Sequence, residues 1–182
     1  MIRVSRGPSD ELGPGDVTGL LHACHTKIRA SLAEARLLAK AKEWDERHRA
    51  SARAVHDYFA IAFPLHVEDE DERIGPELLE HFGVEKGPLL FELHDEHART
   101  DELRLLLLSD WARWCHEPGL ASRGHQHVLK RFARSTEVHL FREEAVLFPL
   151  IDALPEPTRV TIARAMRSAR QKGVSAGPPR PA

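Results

Sequence analysis

Apolar residues recur along this chain at the three-and-four spacing of amphipathic helices, and no segment alternates as a strand. After Asp16, which reads as an N-cap, Leu21, Ile28, Leu32 and Ala35 form one stripe through a helix predicted from Val17 to about Lys42. A second helix is predicted from about Glu46 to Asp71, with Val55, Phe59 and Ala62 inward, a kink at Pro64 and a break at Gly75-Pro76. One helical turn, Glu77 to Phe82, and Gly87-Pro88 then make a crossover. A third helix is expected from about Leu89 to Trp114. A fourth runs from about His125 to Phe148, stopped by Pro149, and a shorter fifth extends to Lys172, stopped by Gly173. Four helices of roughly 35 to 40 Å each predict an all-α fold, an up-and-down four-helix bundle with a short C-terminal fifth helix. Residues 1–15 are expected to be a flexible segment in which Leu12 tucks against the body. Residues 16–173 are the bundle with its capping helix, and 174–182 a disordered tail.

The polar residues that interrupt the apolar stripes are not random. His66 precedes Glu70 by four positions and Pro76 by ten, and His139 stands in the same relation to Glu143 and Pro149, an offset of 139 − 66 = 73. Upstream, Leu21-His22-x-x-His25 recurs as Leu93-His94-x-x-His97, with 97 − 25 = 72. Two unrelated motifs repeating at one spacing indicate a duplicated helical hairpin. Each copy supplies one histidine from its first helix and a His-x-x-x-Glu from its second. Residues four apart lie on one helical face, so an imidazole and a carboxylate can meet at one point.

Facing helices of a bundle bring such side chains together in the core. The candidate metal ligands are His25, His66, Glu70, His97, His139 and Glu143. Four imidazoles and two carboxylates suit two transition ions, with both glutamates bridging and one histidine pair per ion. Thiolate is missing from the set, and an all-oxygen shell for calcium or magnesium is excluded, so iron is favoured ahead of manganese or zinc. The cost of the alternative supports this. Burying an unpaired carboxylate costs several kcal/mol against a total stability of about 5–15 kcal/mol.

Composition narrows the partners. The 182 residues carry 26 basic and 28 acidic side chains, a formal charge of −2, well interspersed. Nothing in that pattern calls for nucleic acid or a membrane surface. Cys24 and Cys115 form neither a C-x-x-C pair nor a disulfide framework, and no signal-peptide or spanning apolar run is present, so a soluble protein in the reducing cytoplasm is expected.

The pattern His, His-x-x-x-Glu, His, His-x-x-x-Glu over about residues 17 to 150 resembles the hemerythrin or HHE cation-binding domain. Cys24-His25-x-x-Ile28-Arg29, Tyr58-Phe59 leading to Pro64-Leu65-His66, and Glu143-Glu144-x-x-Leu147-Phe148-Pro149 sharpen the match. The resemblance implies a four-helix bundle with a non-haem, glutamate-bridged di-iron centre at the six candidate positions. It also implies a small-molecule ligand: dioxygen, peroxide or nitric oxide, bound or sensed. Two other classes stay open, an oxidoreductase that consumes peroxide or reduces nitric oxide, and an iron-responsive interaction protein in which the metal is structural.

The chain departs from the oxygen carriers it resembles. They have a further histidine where this chain has Leu93, and an aspartate where it has Glu144, which favours redox reactivity or sensing over reversible oxygen storage. Ile74-Gly75-Pro76 replaces the usual Leu-Phe-Pro, so a looser pocket wall is expected in the first half. His22 and His94 are expected at the rim of the centre, Tyr58 as a core tyrosine, and Cys24 as a small buried hydrophobe. Glu68, Asp69, Asp71 and Glu72 are expected to form a solvated acidic face. His48, His56, His81, His116, His125 and His127 read as surface or capping residues, and the basic fifth helix as a cap on the bundle.

Overall fold

A computed structural model describes residues 13–117 and 119–175, with side chains to 171; the expectations for Leu12 and for the tail beyond Ser175 lie outside the described residues. Five helices and no strand occur among the described residues. Helix α1 is Val17–Leu38, and Asp16 caps it, its carboxylate accepting from the Gly19 N–H at 2.7 Å. It ends short of Lys42 because Lys40 and Ala41 donate three residues back, to Leu37 and Leu38. That turn seats Trp44 against Trp114, ring centroids 5.5 Å apart.

Helix α2 covers 46–82 without a break, capped by Asp45, which accepts from His48 N at 3.0 Å. Neither the expected kink at Pro64 nor the break at Gly75-Pro76 is found as such. A π-helical turn precedes each proline, Tyr58–Ala62 before Phe63-Pro64 and Asp69–Ile74 before Gly75-Pro76. In a straight α-helix a proline clashes with the carbonyl four residues back and leaves it unbonded. Here the N–H before each proline reaches five residues back instead, Phe63 to Tyr58 and Gly75 to Glu70, and the helix widens locally. One of the freed carbonyls, that of Phe59, is taken by the buried Arg104 guanidinium at 2.8 Å.

Gly83, at φ 75°, stops α2 where a side chain would be strained. A 3₁₀ turn, Val84–Lys86, leads into α3, Gly87–Trp114. Ser122 caps α4, which covers 123–152 and holds a third π-turn, Glu143–Leu147, before Phe148-Pro149, so it continues past the expected stop. Helix α5, Glu156–Ser175, runs through Gly173 and Val174.

Helices α1 to α4 each touch their neighbours around a ring, and α5 lies on α1 and α2. The core is divided. Ile28, Leu32, Phe59, Leu107, Trp111, Phe132 and Leu140 fill one end. Leu21, Ile74, Leu78, Leu93, Leu147 and Ile151 fill the other, closed by Ile162, Ala163 and Met166 of α5. Along every bundle helix the polar candidates fall between the two. No described helix is long and apolar enough to cross a membrane.

Candidate metal centre

All six predicted donors are buried in that polar layer. The structure gathers them into two groups, His25, His66, Glu70 and Glu143, and Glu70, His97, His139 and Glu143, with the potential ligand atoms of each group within 4.8 Å of one another. Both glutamates belong to both groups, the arrangement a bridged pair of ions requires.

Each element contributes for a local reason. Glu70 and Glu143 both lie in π-turns, where the widened helix changes the direction of its side chains. His25 Nε2 lies 3.2 Å from Glu143 Oε2, and His97 Nε2 3.2 Å from Glu70 Oε2. His66 Nε2 is 3.8 Å from Glu70 Oε1, and His139 Nε2 is 2.5 Å from Glu143 Oε1.

Three of the four histidines are held from behind by carboxylates. His25 Nδ1 donates to Glu144 at 2.8 Å, His97 Nδ1 to Asp71 at 3.0 Å and His139 Nδ1 to Glu96 at 2.7 Å. A proton on Nδ1 leaves the Nε2 lone pair facing the centre, which is how a metal-binding imidazole is oriented. The Nε2 atoms of His97 and His139 stand 2.7 Å apart. Two lone pairs at that distance repel unless a proton or a cation lies between them. The fourth histidine, His66, has neither ring nitrogen hydrogen-bonded, and burial drives its pKa down to about 3, which keeps it neutral.

The carboxylates tell the same story. Both oxygens of Glu70 and of Glu143 are buried, and apart from the facing histidine nitrogens no donor reaches them. Burial, then the facing Glu143, raises the Glu70 pKa well above the usual range. Burial opposes charge on Glu143 too, but contacts with His139, His25 and His97 hold it low. His97 is pushed up to about 12 because Asp71, Glu143 and Glu70 surround it, overcoming its own burial. The negative field that binds a proton there is the field that would bind a cation. Carboxylate oxygens met only by imidazole nitrogens, inward lone pairs and a donor set of nitrogen and oxygen fit a pair of transition ions.

Several surrounding residues differ from expectation. Asp71 is not a solvated acid, since it holds His97 and, at 3.0 Å, His94. Asp69 is fully buried, paired with Arg73 at 2.9 Å and with Arg170 of α5 at 2.7 Å. Glu144 joins His25 to Arg29. His94 and His22 stand at the rim as expected, His22 with Nδ1 4.0 Å from Glu144. The two halves thus match, His94 and His97 facing Asp71 as His22 and His25 face Glu144. Tyr58 donates to the Cys24 carbonyl at 3.5 Å, and Cys24 Sγ accepts from Arg170 at 3.1 Å. His125 is a correction, being buried against Trp114 and bonded to Asp110 at 2.9 Å; the indole covers the ring and the carboxylate satisfies it.

Sequence reasoning missed Glu96, Arg104 and Arg170, whose roles arise only from packing between helices. Asp71 and Glu144 did carry a signal, an acid immediately after each of the two shared glutamates, in repeat register. Comparison with curated proteins and with solved structures finds no match. The family model of the Hemerythrin HHE cation binding domain matches residues 16–151, a stretch that contains all six donors and the π-turns of both glutamates. The chain belongs to the hemerythrin HHE cation-binding family.

Proposed function

We propose that this chain is a non-haem di-iron protein that binds or senses dioxygen or a related small oxidant, peroxide or nitric oxide. The observation that carries the reading is the convergence of four imidazoles, three of them held by carboxylates, on two shared and otherwise unpartnered glutamates. His25 and His66 would hold one ion, His97 and His139 the other, and Glu70 and Glu143 would bridge them. Bound ferrous ions supply the electrons for oxidant chemistry.

The protein's own residues do the rest. Asp71, Glu96 and Glu144 fix the imidazole tautomers, so the donors need no rearrangement when an ion arrives. The apolar clusters on either side flank the centre with surfaces that offer water few hydrogen bonds. Leu93 fills a buried position in front of His97, where the oxygen carriers have another histidine, so a coordination position is left for an incoming ligand. Free Cys24 and Cys115 accord with a reducing cytoplasm, and the ligand is a small molecule rather than nucleic acid or lipid.

The test is elemental analysis of the purified protein beside a His139→Ala, Glu143→Ala variant, with visible spectra of the anaerobic iron-loaded protein before and after air. Two irons per chain, lost in the variant, with a charge-transfer band developing in air, is the expected result. Failure to take up iron under anaerobic loading refutes the reading.

A further inference from the structure

The halves of the bundle differ at one position that decides access to the centre. Phe148, the first residue after the π-turn of α4, lays its ring against His22 and His25 at centroid distances of 4.7 and 5.2 Å. The repeat puts Gly75 in the same place after the π-turn of α2, since 148 − 75 = 73. No ring is available there to cover His94 and His97. The space is a cavity of about 240 Å³ instead, lined by Gly75, by both of those histidines and by Glu70 and Glu143.

Its size and chemistry restrict what it takes. One liquid water occupies roughly 30 Å³, so the cavity is on the order of eight waters in volume, far more than a diatomic or hydrogen peroxide fills. Pro76, Leu79, Leu90, Leu93 and Leu147 wall it, and such a surface offers water few hydrogen bonds. Polar atoms converge at the buried end, where the carboxylate oxygens of Glu70 and Glu143 face only the histidine nitrogens of the centre. At the outer end Phe91 and Leu79 are exposed, Phe91 to 71 %. An apolar passage with a polar floor is complementary to a short aliphatic body carrying one oxygen head.

We infer that the centre takes an organic hydroperoxide, its alkyl body in the space left by Gly75 and its peroxide oxygens toward Glu70, Glu143 and His97. The inference rests on the di-iron reading. With iron held by the six residues, two electrons from the metal and two protons from solvent would suffice to break the oxygen–oxygen bond of ROOH and leave one alcohol, ROH, and one water.

Two variants each fill part of the cavity. Gly75→Phe restores the ring of the other half; its Cβ would lie 3.2 Å from the Glu70 carbonyl oxygen, at a backbone conformation (φ −53°, ψ −49°) close to that of Phe148 (φ −58°, ψ −44°). Gly87→Leu is the safer one, because Gly87 has ordinary helical φ and an added Cβ meets only the Phe91 ring at 3.8 Å. The first readout is calorimetric binding of 1-hexanol, an unreactive stand-in, to the protein as purified. The second is oxidation of the anaerobic ferrous protein by tert-butyl hydroperoxide or by hydrogen peroxide, with the tert-butanol formed also measured. Both variants should weaken hexanol binding by about tenfold or more and slow the tert-butyl hydroperoxide reaction by about tenfold more than they slow the hydrogen peroxide reaction, with iron content unchanged. Equal hexanol binding in all three proteins, or none in the parent, overturns the proposal, as does an equal loss of rate toward both peroxides. A chain that takes up no iron, yet loses hexanol binding in both variants, retains the cavity as a ligand site and refutes the hydroperoxide chemistry together with the di-iron reading.

Discussion

Replacing the carboxylates behind the histidines tests the centre without touching a donor. Glu144→Gln, Asp71→Asn and Glu96→Gln each keep the side chain's shape and remove its charge. Losing such a partner typically lowers metal affinity 10- to 100-fold, about 1.4–2.7 kcal/mol. The structure separates that loss from a loss of fold. Glu144 also pairs with Arg29, whose side chain is 42 % exposed, and an ion pair of that kind contributes roughly 0–1 kcal/mol to stability. In a domain of this size 1 kcal/mol moves the melting temperature by about 2–4 °C, so the apo variants should melt within a few degrees of the parent. The effects should also be local. Glu144 stands behind His25, so Glu144→Gln should weaken the ion of the His25 and His66 pair. Asp71→Asn and Glu96→Gln should weaken the ion held by His97 and His139. Cobalt(II) titration in competition with a chelator, followed by the d–d spectrum, resolves two affinities per chain. Affinities within about twofold of the parent in all three variants would refute the orienting role. Equal weakening of both ions by Glu144→Gln would refute the assignment of donors to two separate ions.

Three further outcomes follow from the geometry. At a free metal concentration 100 times Kd, each bound ion stabilises by about 2.7 kcal/mol, so chelation should lower the melting temperature by roughly 5–11 °C per ion in a scan with and without chelator. Trp111, fully buried and stacked on Phe59 at 5.2 Å, should cost about 3–5 kcal/mol on replacement by alanine, measured by urea unfolding. Burial holds the His125 pKa below its usual value despite the opposing pull of Asp110. The folded state therefore binds fewer protons than the unfolded one, and the stability from neutral His125 is complete above about pH 6.5 and lost as pH falls below it. Unfolding free energies between pH 7 and 5 should show a shallower pH slope in His125→Phe than in the parent.

The donors were legible in the sequence because their geometry is local. A histidine and a glutamate four apart share a face whatever surrounds them, and the offset of 73 between His66 and His139 tied two such pairs to one architecture. Asp16 was similarly readable as a cap. The residues that hold the donors were not. Glu96 reaches His139 only because α3 packs on α4, and Arg170 reaches Asp69 only because α5 lies on α2. The prolines misled for a different reason. Pro64, Pro76 and Pro149 are helix breakers in a 3.6-residue register, and each is accommodated by a π-turn that no hydrophobic periodicity marks. Gly75 looked like a loosened wall, and the open space beside it bears that out.

The π-turns have a consequence for how such a chain can change over generations. Each is one additional residue housed inside a helix, so residues beyond it are rotated by about 100° from where an uninterrupted helix would place them. Deleting one residue from 143 to 147 would let the segment close to a regular α-helix with Phe148 and Ile151 left in place, and what it would remove is the widened turn that carries Glu143. The same holds for 69 to 74 with respect to Glu70. The extra residue in α2 and in α4 therefore serves the glutamates rather than the apolar clusters beyond them. A lineage carrying this centre can exchange side chains on its outer faces, but it inherits the two glutamates and the widened turns that carry them as one indivisible unit.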